Sequence, residues 1–290
     1  PKILDMNKLH SYRFFTILFS LGIYTSLFSQ ELPNFSSILE YRNFGPHKAG
    51  SWISCIAVPE TDDLTYKYTY YIGARNGGVW KTINAGIEYT PVFDNEGSFS
   101  IGCVTIDPNN TNVVWVGSGE NNNQRSVNYG DGVYKSIDGG KSWKNMGLKT
   151  SEHIGKILVN PENSNIVYVA AIGPLWSEGG ERGLYKTTDG GETWIAVLTV
   201  DEHTGVNDVV LDPRDPEVLY ASTLQRRRHV FTYVGGGPGS GLHKSIDGGT
   251  NWTKINKGLP SVELGRIGLS LSPANPEVIY AIVEAADGKG

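Results

Sequence analysis

The octapeptide Thr187-Thr188-Asp189-Gly190-Gly191-Glu192-Thr193-Trp194 is one of three nearly identical phrases in this chain. The other two are Ser136–Trp143 and Ser245–Trp252, and a degenerate fourth copy spans Thr82–Tyr89. Glycine adopts positive φ without strain, and an aspartate side chain accepts hydrogen bonds from turn amides. The phrase therefore predicts a tight turn followed by a strand that opens on tryptophan, repeated at intervals of roughly 50–60 residues.

Two further patterns recur in step with this turn. An apolar strand that ends at a proline precedes a strand rich in valine and tyrosine, as in Val209–Pro213 followed by Val218–Ala221. A third strand of the Gly-Leu-Tyr-Lys type, such as Gly183–Lys186, leads into the turn. Each repeat thus contains four short strands, which we call A to D, and such repeats are the blades of a β-propeller. We expect the tryptophans that open strand D to pack between neighbouring blades.

The repeat boundaries predict an all-β chain with about four and a half propeller blades. The predicted blades span 53–96, 101–147, 154–198 and 206–257, with a partial fifth blade at 265–290 and a lead-in segment at 31–52. An arc of blades that does not close leaves strand edges exposed, which natural proteins avoid. We therefore expect the chain to be a fragment of a larger propeller protein.

The first 30 residues have the composition of an export signal. Lys8 and Arg13 precede a mostly apolar run at 14–28, which is shorter than the roughly 20 residues that a membrane span requires. We predict upstream residues and a signal peptide at 1–30, a secreted, periplasmic or cell-surface protein, and no transmembrane segment in this fragment. A net charge of -5 argues against a nucleic-acid partner, and two cysteines cannot build a disulfide framework.

The turn phrase Ser/Thr-x-Asp-x-Gly-x-Ser/Thr-Trp resembles the Asp-box, the bacterial neuraminidase repeat of sialidases, sortilin-type sorting receptors and some secreted endoglucanases. Longer phrases resemble a group of large secreted bacterial proteins in the sortilin N-terminal-like propeller superfamily, whose members often carry a glycosyl hydrolase label. Those phrases are Tyr41–Pro46, Gly117–Arg125, Ser151–Gly155 and Gln225–His229. The resemblance to sortilin implies a propeller that binds a ligand without chemistry.

Blade topology separates structural turns from candidate sites. In a four-stranded blade the A–B and C–D turns lie on one face, whereas the B–C and D–A connections lie on the other, which we call the axial face. The Asp-boxes are C–D turns, so we predict that their aspartates and tryptophans are structural. These residues are Asp138, Trp143, Asp189, Trp194, Asp247 and Trp252.

The axial face collects the polar residues that suit a ligand site. Glu120 directly follows strand B of the second blade and is the candidate catalytic residue. Amides donate and accept hydrogen bonds and arginine binds carboxylates, so polar residues of these connections are candidates for ligand binding. The candidates are Asn121, Asn122, Asn123, Gln124, Arg125, His153, Arg226, Arg227, Arg228, His229, Arg266 and Glu284. The alternatives are a polar loop that satisfies its own hydrogen bonds around Glu120 and a solvated face at 226–228.

Neither a metal nor a cofactor is predicted. The histidines are isolated and the acids are scattered, without the spacing of metal ligands. Cys55 and Cys103 lie on neighbouring A strands, four residues before Pro59 and five residues before Pro108, respectively. Since side chains alternate along a strand, we expect the two cysteines to face opposite ways and to remain free.

Two departures from known families weigh against catalysis. In tandem-propeller xyloglucanases a catalytic aspartate precedes the Gly-Gly of the first blade, in a phrase similar to Ala74–Val79. This chain has Asn76 there, and an amide cannot act as an ionised base. Sialidases carry a Phe/Tyr-Arg-Ile-Pro phrase, from which Tyr41-Arg42-Asn43-Phe44 departs.

We predict an exported, sortilin-like propeller that binds an extended peptide or glycan on its polar axial face. Two alternatives stay open. One is a glycoside hydrolase that uses Glu120 and a second carboxylate. The other is a structural platform for a C-terminal domain.

Overall fold

The computed structural model describes residues 51–122, 127–272 and 274–288. These residues belong to one compact unit, Lys48–Gly290. The predicted signal peptide at 1–30 and most of the lead-in segment at 31–52 lie outside the described residues. So do the candidate ligand-binding residues Asn123, Gln124 and Arg125.

Four antiparallel sheets of four strands follow one another along the chain. Blade one contains β1 (Ile53–Ala57), β2 (Tyr70–Ala74), β3 (Gly78–Thr82) and β4 (Thr90–Pro91). Blade two contains β5 (Ile101–Asp107), β6 (Asn110–Ser118), β7 (Val133–Ser136) and β8 (Lys144–Gly147). Blade three contains β9 (Ile154–Asn160), β10 (Asn163–Ala171), β11 (Gly183–Thr187) and β12 (Ile195–Leu198).

Blade four interrupts the simple meander. It contains β13 (Thr204–Asp212), β14 (Asp215–Gln225), β17 (Gly241–Ser245) and β18 (Thr253–Ile255). Between its second and third strands lies a separate hairpin of β15 (Arg227–Arg228) and β16 (Tyr233–Val234). A fifth, two-stranded sheet contains β19 (Leu264–Leu271) and β20 (Ile279–Ala285). The prediction of an all-β fold built from four-stranded propeller blades is confirmed.

Neighbouring blades pack in chain order through their first strands and their tryptophans. The Thr105 hydroxyl on β5 donates to the Ile157 carbonyl on β9 at 2.8 Å, and the Asn207 amide on β13 donates to the Ile267 carbonyl on β19 at 2.9 Å. Trp194 of blade three packs against the apolar cluster that includes Trp115 of blade two. The predicted placement of the Asp-box tryptophans between blades is therefore confirmed for Trp194.

The other two Asp-box tryptophans occupy equivalent positions. Trp143 packs with Phe93 of blade one, with ring centroids 5.2 Å apart, and its indole N–H donates to the Val92 carbonyl at 2.6 Å. Trp252 packs against the cluster that contains Tyr168 of blade three. Its indole N–H donates to the carbonyl of Gly249 in its own turn, at 3.0 Å.

The two cysteines lie in different apolar clusters and are free. Cys55 packs with the cluster between blades one and two, whereas Cys103 is part of the cluster between blades two and three. Burial raises the pKa of both thiols. The two side chains thus face different inter-blade clusters, as their positions on the A strands predict.

The described residues include no helix with the length and apolar character that crossing a membrane would require.

Candidate functional site

The Asp-boxes lie on the face opposite the axial face. In blade two the Gly139 amide donates to the Asn112 carbonyl at 2.8 Å, which joins the C–D turn to the beginning of strand B. Blade three repeats this contact from Gly190 to Asn165 at 3.0 Å, and blade four repeats it from Gly248 to Glu217 at 2.9 Å. The C–D and A–B turns therefore share one face in each of these three blades.

Each Asp-box carboxylate accepts hydrogen bonds from its own turn. One oxygen of Asp189 accepts from the Thr187 hydroxyl at 2.7 Å and from the Thr193 amide at 2.9 Å, and the other accepts from the Thr193 hydroxyl at 2.5 Å. Side-chain hydrogen bonds, from Thr193 to Asp189 and from Ser142 to Asp138, hold the pKa of these aspartates far below its ordinary value. The Asn251 amide likewise lowers the pKa of Asp247 to about 2. These carboxylates are engaged in turn formation.

Glu120 is buried on the axial face, with 1% of its surface exposed. One carboxylate oxygen accepts from the Asn128 amide at 3.0 Å. The other pairs with the Arg75 guanidinium and accepts from the Asn122 side chain. Gly119, with a φ of +86°, places Glu120 there: a Cβ at this position would meet the Glu152 carbonyl oxygen. Both oxygens of Glu120 are thus occupied by groups of the chain itself.

The loop that follows Glu120 is held by amide contacts. The Asn121 side chain donates to the carbonyls of Gly102 at 3.0 Å and Gly155 at 3.4 Å. Asn128 donates from its side chain to Asn76 of blade one. Asn76 stands where the xyloglucanase resemblance would place an aspartate, and here it accepts a hydrogen bond.

Three arginines from successive blades form a cationic cluster, which we define as Arg182, Arg226 and Arg266. Arg226 is fully buried, and within the described residues it donates to two backbone carbonyls, those of Asn122 at 3.3 Å and Gly173 at 3.4 Å. Its Nε has no hydrogen-bond partner among the residues that the structure describes. Burial, followed by the neighbouring charges of Arg266 and Arg182, lowers the pKa of Arg226 to about 9.

The other two arginines of the cluster also donate to backbone carbonyls. Arg182 donates to the carbonyls of Ile172 at 3.0 Å and Ser177 at 2.7 Å, and burial lowers its pKa to about 10. Arg266 donates to the Asn121 carbonyl, and burial lowers its pKa as well. Glu152 contributes a carboxylate that interacts with Arg182 and Arg226.

His153 is fully buried beside this cluster. Neither ring nitrogen has a hydrogen-bond partner within the described parts of the chain. Burial, reinforced by the charges of Arg226 and Arg182, lowers the pKa of His153 well below 6.5, so the imidazole is neutral. The Tyr129 ring lies at an angle to it, with ring centroids 6.5 Å apart.

Several candidates lie on strands where we expected connections. Arg227 and Arg228 form β15, because they pair with Val234 and Tyr233 to make a hairpin that the repeat pattern did not predict. Arg266 lies on β19 and Glu284 on β20, where a Glu284 carboxylate oxygen accepts from the Arg266 amide at 3.2 Å. Arg227 and Arg228 still lie in the predicted connection between strands B and C of blade four, which contains this hairpin. For Arg266 and Glu284 the expectation of open connections is wrong, because β19 and β20 include these positions.

His229, unlike Arg226, is open to solvent. It is exposed at the tip of the β15–β16 hairpin, and its amide donates to the Thr232 carbonyl at 2.8 Å. Sequence reasoning did not single out Arg182, Arg75, Trp176, Phe231 or Tyr233. The available signal for Arg182 was its position directly before a Gly-Leu-Tyr-Lys strand.

One group of side chains has the composition of a metal site. Ligand atoms of Glu178, Glu202 and His203 lie within 4.8 Å of one another. Both glutamates are exposed, and the His203 Nε2 is 3.6 Å from a Glu202 carboxylate oxygen, which is the geometry of a surface ion pair. We assign no metal to this group.

Asp-box turns, four-stranded blades and a polar axial face together define a β-propeller of the sortilin and glycosyl hydrolase type. Residues 131–288, more than half of the chain, match the model of the Sortilin-Vps10 family, described as sortilin, neurotensin receptor 3. The chain belongs to this family. The resemblance drawn from the sequence is confirmed.

Two curated relatives are xyloglucanases. The one from Paenibacillus sp is 26% identical over 213 residues, covering 64% of this chain and 19% of the relative. The one from Hypocrea jecorina (strain QM6a) is 28% identical over 171 residues, covering 54% of this chain and 18% of the relative. The chain therefore spans about a fifth of the length of these relatives.

Solved structures share the fold. An ancestral GH74 enzyme has a TM-score of 0.59 at 22% identity, covering 81% of this chain and 28% of that chain. The GH74 xyloglucanase from Xanthomonas campestris has a TM-score of 0.56 at 17% identity, covering 79% of this chain and 34% of that chain. At these identities the likeness establishes the propeller fold alone.

Proposed function

We propose that the axial face binds an extended ligand that carries acidic groups, and that the ligand is a glycan in preference to a peptide. The observation that carries this proposal is the cationic cluster, above all the fully buried Arg226, whose Nε lacks a partner among the described residues. The names of the xyloglucanase relatives support a glycan. The apolar run at 14–28 supports export of the protein to the compartment where such polymers are found.

The physical argument rests on the cost of burying charge. A buried cation is costly unless an anion or a full set of hydrogen bonds compensates it. Among the described residues Arg226 makes two long bonds to carbonyls, and the single carboxylate of Glu152 faces both Arg226 and Arg182, while Arg266 adds further positive charge. A carboxylate or sulfate would accept charge-assisted hydrogen bonds from this cluster.

Binding fits the site better than hydrolysis does. Glycoside hydrolysis requires a proton donor and a second carboxylate that are both available to the substrate. Glu120 is buried and pairs with Arg75, and Asn122 and Asn128 donate to its two oxygens. In this account Glu120 has a structural role, because it holds Asn122 and Asn128 of the connection between strands B and C of blade two.

The test compares binding of the full chain to arrays of acidic glycans, neutral glycans and acidic peptides. Arg226→Gln should lose at least about tenfold in affinity, since a buried charge-assisted contact exceeds about 1.4 kcal/mol. Lys141→Gln removes one charge from the opposite face and should bind like wild type. Arg266 is less buried than Arg226, so the affinity of Arg266→Gln tests the cationic cluster if Arg226→Gln does not fold. Equal binding by Arg266→Gln and Lys141→Gln would contradict the proposal.

A glycoside hydrolase is the second candidate, because both curated relatives bear the name xyloglucanase. Its test is the release of reducing ends from a panel of polysaccharides, with Glu120→Gln as the control. We expect no release above the blank. Release that disappears in Glu120→Gln would instead make Glu120 a catalytic residue. A structural platform predicts that none of the axial substitutions alters binding.

A further inference from the structure

An aromatic groove lies on the axial face between blades three and four. It is a cavity of about 590 Å³ between the B–C connection of blade three and the β15–β16 hairpin. Its lining residues are Trp176, Arg228, Val230, Phe231, Thr232 and Tyr233. No candidate site of the sequence analysis included its aromatic side chains.

The apolar walls of the aromatic groove are open to solvent. Trp176 is 44% exposed, and Phe231 at the hairpin tip is 92% exposed. Large apolar side chains that are grouped and exposed mark interaction sites, because their burial by a ligand releases water. The exposed aromatic side chains of Trp176 and Phe231 favour a ligand with a flat apolar surface.

The hairpin that carries Phe231 is held by the pairing of its two strands and by one hydrogen bond to blade three. Its strands pair from Arg227 to Val234 and from Arg228 to Tyr233. The Arg228 amide donates to the Leu175 carbonyl of blade three at 2.8 Å, which fixes the distance between the two walls. Binding residues held on rigid elements lose little conformational entropy when a ligand arrives.

Tyr233 connects the aromatic groove to the cationic cluster. One side of its ring faces the Arg228 guanidinium, whose central carbon is 4.6 Å from the ring centroid. Its hydroxyl is buried without a hydrogen-bond partner in the described residues, and it interacts electrostatically with Arg226 and Arg266. The groove therefore has one cation, Arg228, in its wall, and its Tyr233 side lies within the electrostatic influence of Arg226 and Arg266.

We propose that the aromatic groove is a stacking subsite for the pyranose ring of a uronic-acid-containing glycan. The C–H face of a pyranose carries slight positive charge and matches the electron-rich face of an aromatic ring. The carboxylate of a uronate ring complements Arg228 in the groove wall and the positive charge of Arg226 and Arg266 beside Tyr233. The inference rests on the proposed function and specifies its ligand class.

The test measures binding of hexagalacturonate and cellohexaose to the full chain by isothermal titration calorimetry. Trp176→Ala and Phe231→Ala should each weaken hexagalacturonate binding by about tenfold, as loss of an aromatic anchor does. Phe99→Ala removes an exposed aromatic side chain outside the groove and should bind like wild type. Cellohexaose, which lacks carboxylates, should bind at least about tenfold more weakly than hexagalacturonate.

The outcomes separate the two proposals. If hexagalacturonate binding depends on Arg266 but not on Trp176 or Phe231, the aromatic groove is not a subsite, while the proposed function stands. If cellohexaose binds as tightly as hexagalacturonate, the uronate assignment is wrong. If hexagalacturonate does not bind to wild type while an acidic peptide does, the inference fails and the axial face is a peptide site. Failure of every acidic probe overturns both proposals.

Discussion

At the scale of single residues, solvent exposure does not tell which charged side chains have their hydrogen bonds satisfied within the chain. Asp189 is exposed, yet its carboxylate is occupied by hydrogen bonds from Thr187 and Thr193. Arg226 is fully buried, yet its Nε has no partner in the described residues. Solvent exposure alone would therefore favour Asp189 over Arg226 as a candidate binding residue, whereas their hydrogen bonding favours Arg226.

Asp189→Asn tests the structural role of the Asp-box. The pKa of Asp189 is lowered in the folded chain, so ionised Asp189 stabilises the fold above the unfolded pKa near 3.8, and this contribution is lost as pH falls through the folded pKa. We expect the variant to be less stable than wild type at pH 7, with a difference that shrinks below about pH 4. Urea denaturation at several pH values measures it. A difference that does not change with pH would contradict this role.

Trp194→Ala tests packing between blades. The Trp194 indole N–H donates to the Met146 carbonyl at 2.8 Å, and its ring lies edge-to-face with Trp115 at 6.4 Å. Removing it should lower the free energy of unfolding by about 3 kcal/mol, as truncation of a packed aromatic residue does. Trp176→Ala, on the axial face, is the matched control and should unfold like wild type. Equal stability of both variants would refute the packing assignment.

The residues that sequence could place are those whose signals are local. Asp138, Asp189 and Asp247 recur with the same neighbours, so one turn explains all three. For the cationic cluster, the sequence indicated Arg226 and Arg266 as axial-face candidates but not their meeting with Arg182, because the three arginines come from three different blades and meet only in the folded chain.

At the scale of strands, a lysine of strand C joins each of the first three blades to the next blade. Lys81, Lys135 and Lys186 donate to the Asp-box carbonyls of Gly139, Gly190 and Gly248, at 3.0, 2.9 and 2.8 Å. Each lysine also lies over an aromatic ring of strand B in its own blade, at 5.2, 4.8 and 5.4 Å from the ring centroid. Burial lowers the pKa of Lys81 and Lys135. The Asp-box turn thus also accepts the hydrogen bond that joins neighbouring blades.

Lys135→Met tests this contact. The variant keeps the apolar stem but loses the bond to Gly190 and the charge over Trp115, so we expect a loss of about 1–2 kcal/mol in unfolding free energy. Lys141→Met, at an exposed position of the Asp-box turn, should change stability by less than about 0.5 kcal/mol. Chemical denaturation of both variants provides the comparison. A Lys135 variant as stable as the Lys141 variant would show that the contact contributes nothing.

At the level of strands, the repeat predicted blades and turns but not the β15–β16 hairpin. The hairpin occurs only in blade four, and its two strands are two residues long, so no periodicity reveals it. It moves Arg228 and Tyr233 from an expected loop into a paired structure. Insertions that occur once in a repeat fold are where sequence patterns lose predictive value.

At the scale of the whole molecule, structural turns and candidate binding groups lie on opposite faces. Connections of the axial face bring together the cationic cluster, His153 and the aromatic groove. The opposite face carries the Asp-boxes and the A–B turns. This division lets the axial connections vary while the blades keep their packing.

Hydrogen–deuterium exchange of the full chain, with and without hexagalacturonate, tests most directly which face binds. The account predicts that the ligand slows exchange at 172–182 and 225–239 on the axial face, while the Asp-box turns at 136–143, 187–194 and 245–252 exchange at unchanged rates. Slower exchange at the Asp-box turns, or no change on either face, would contradict it.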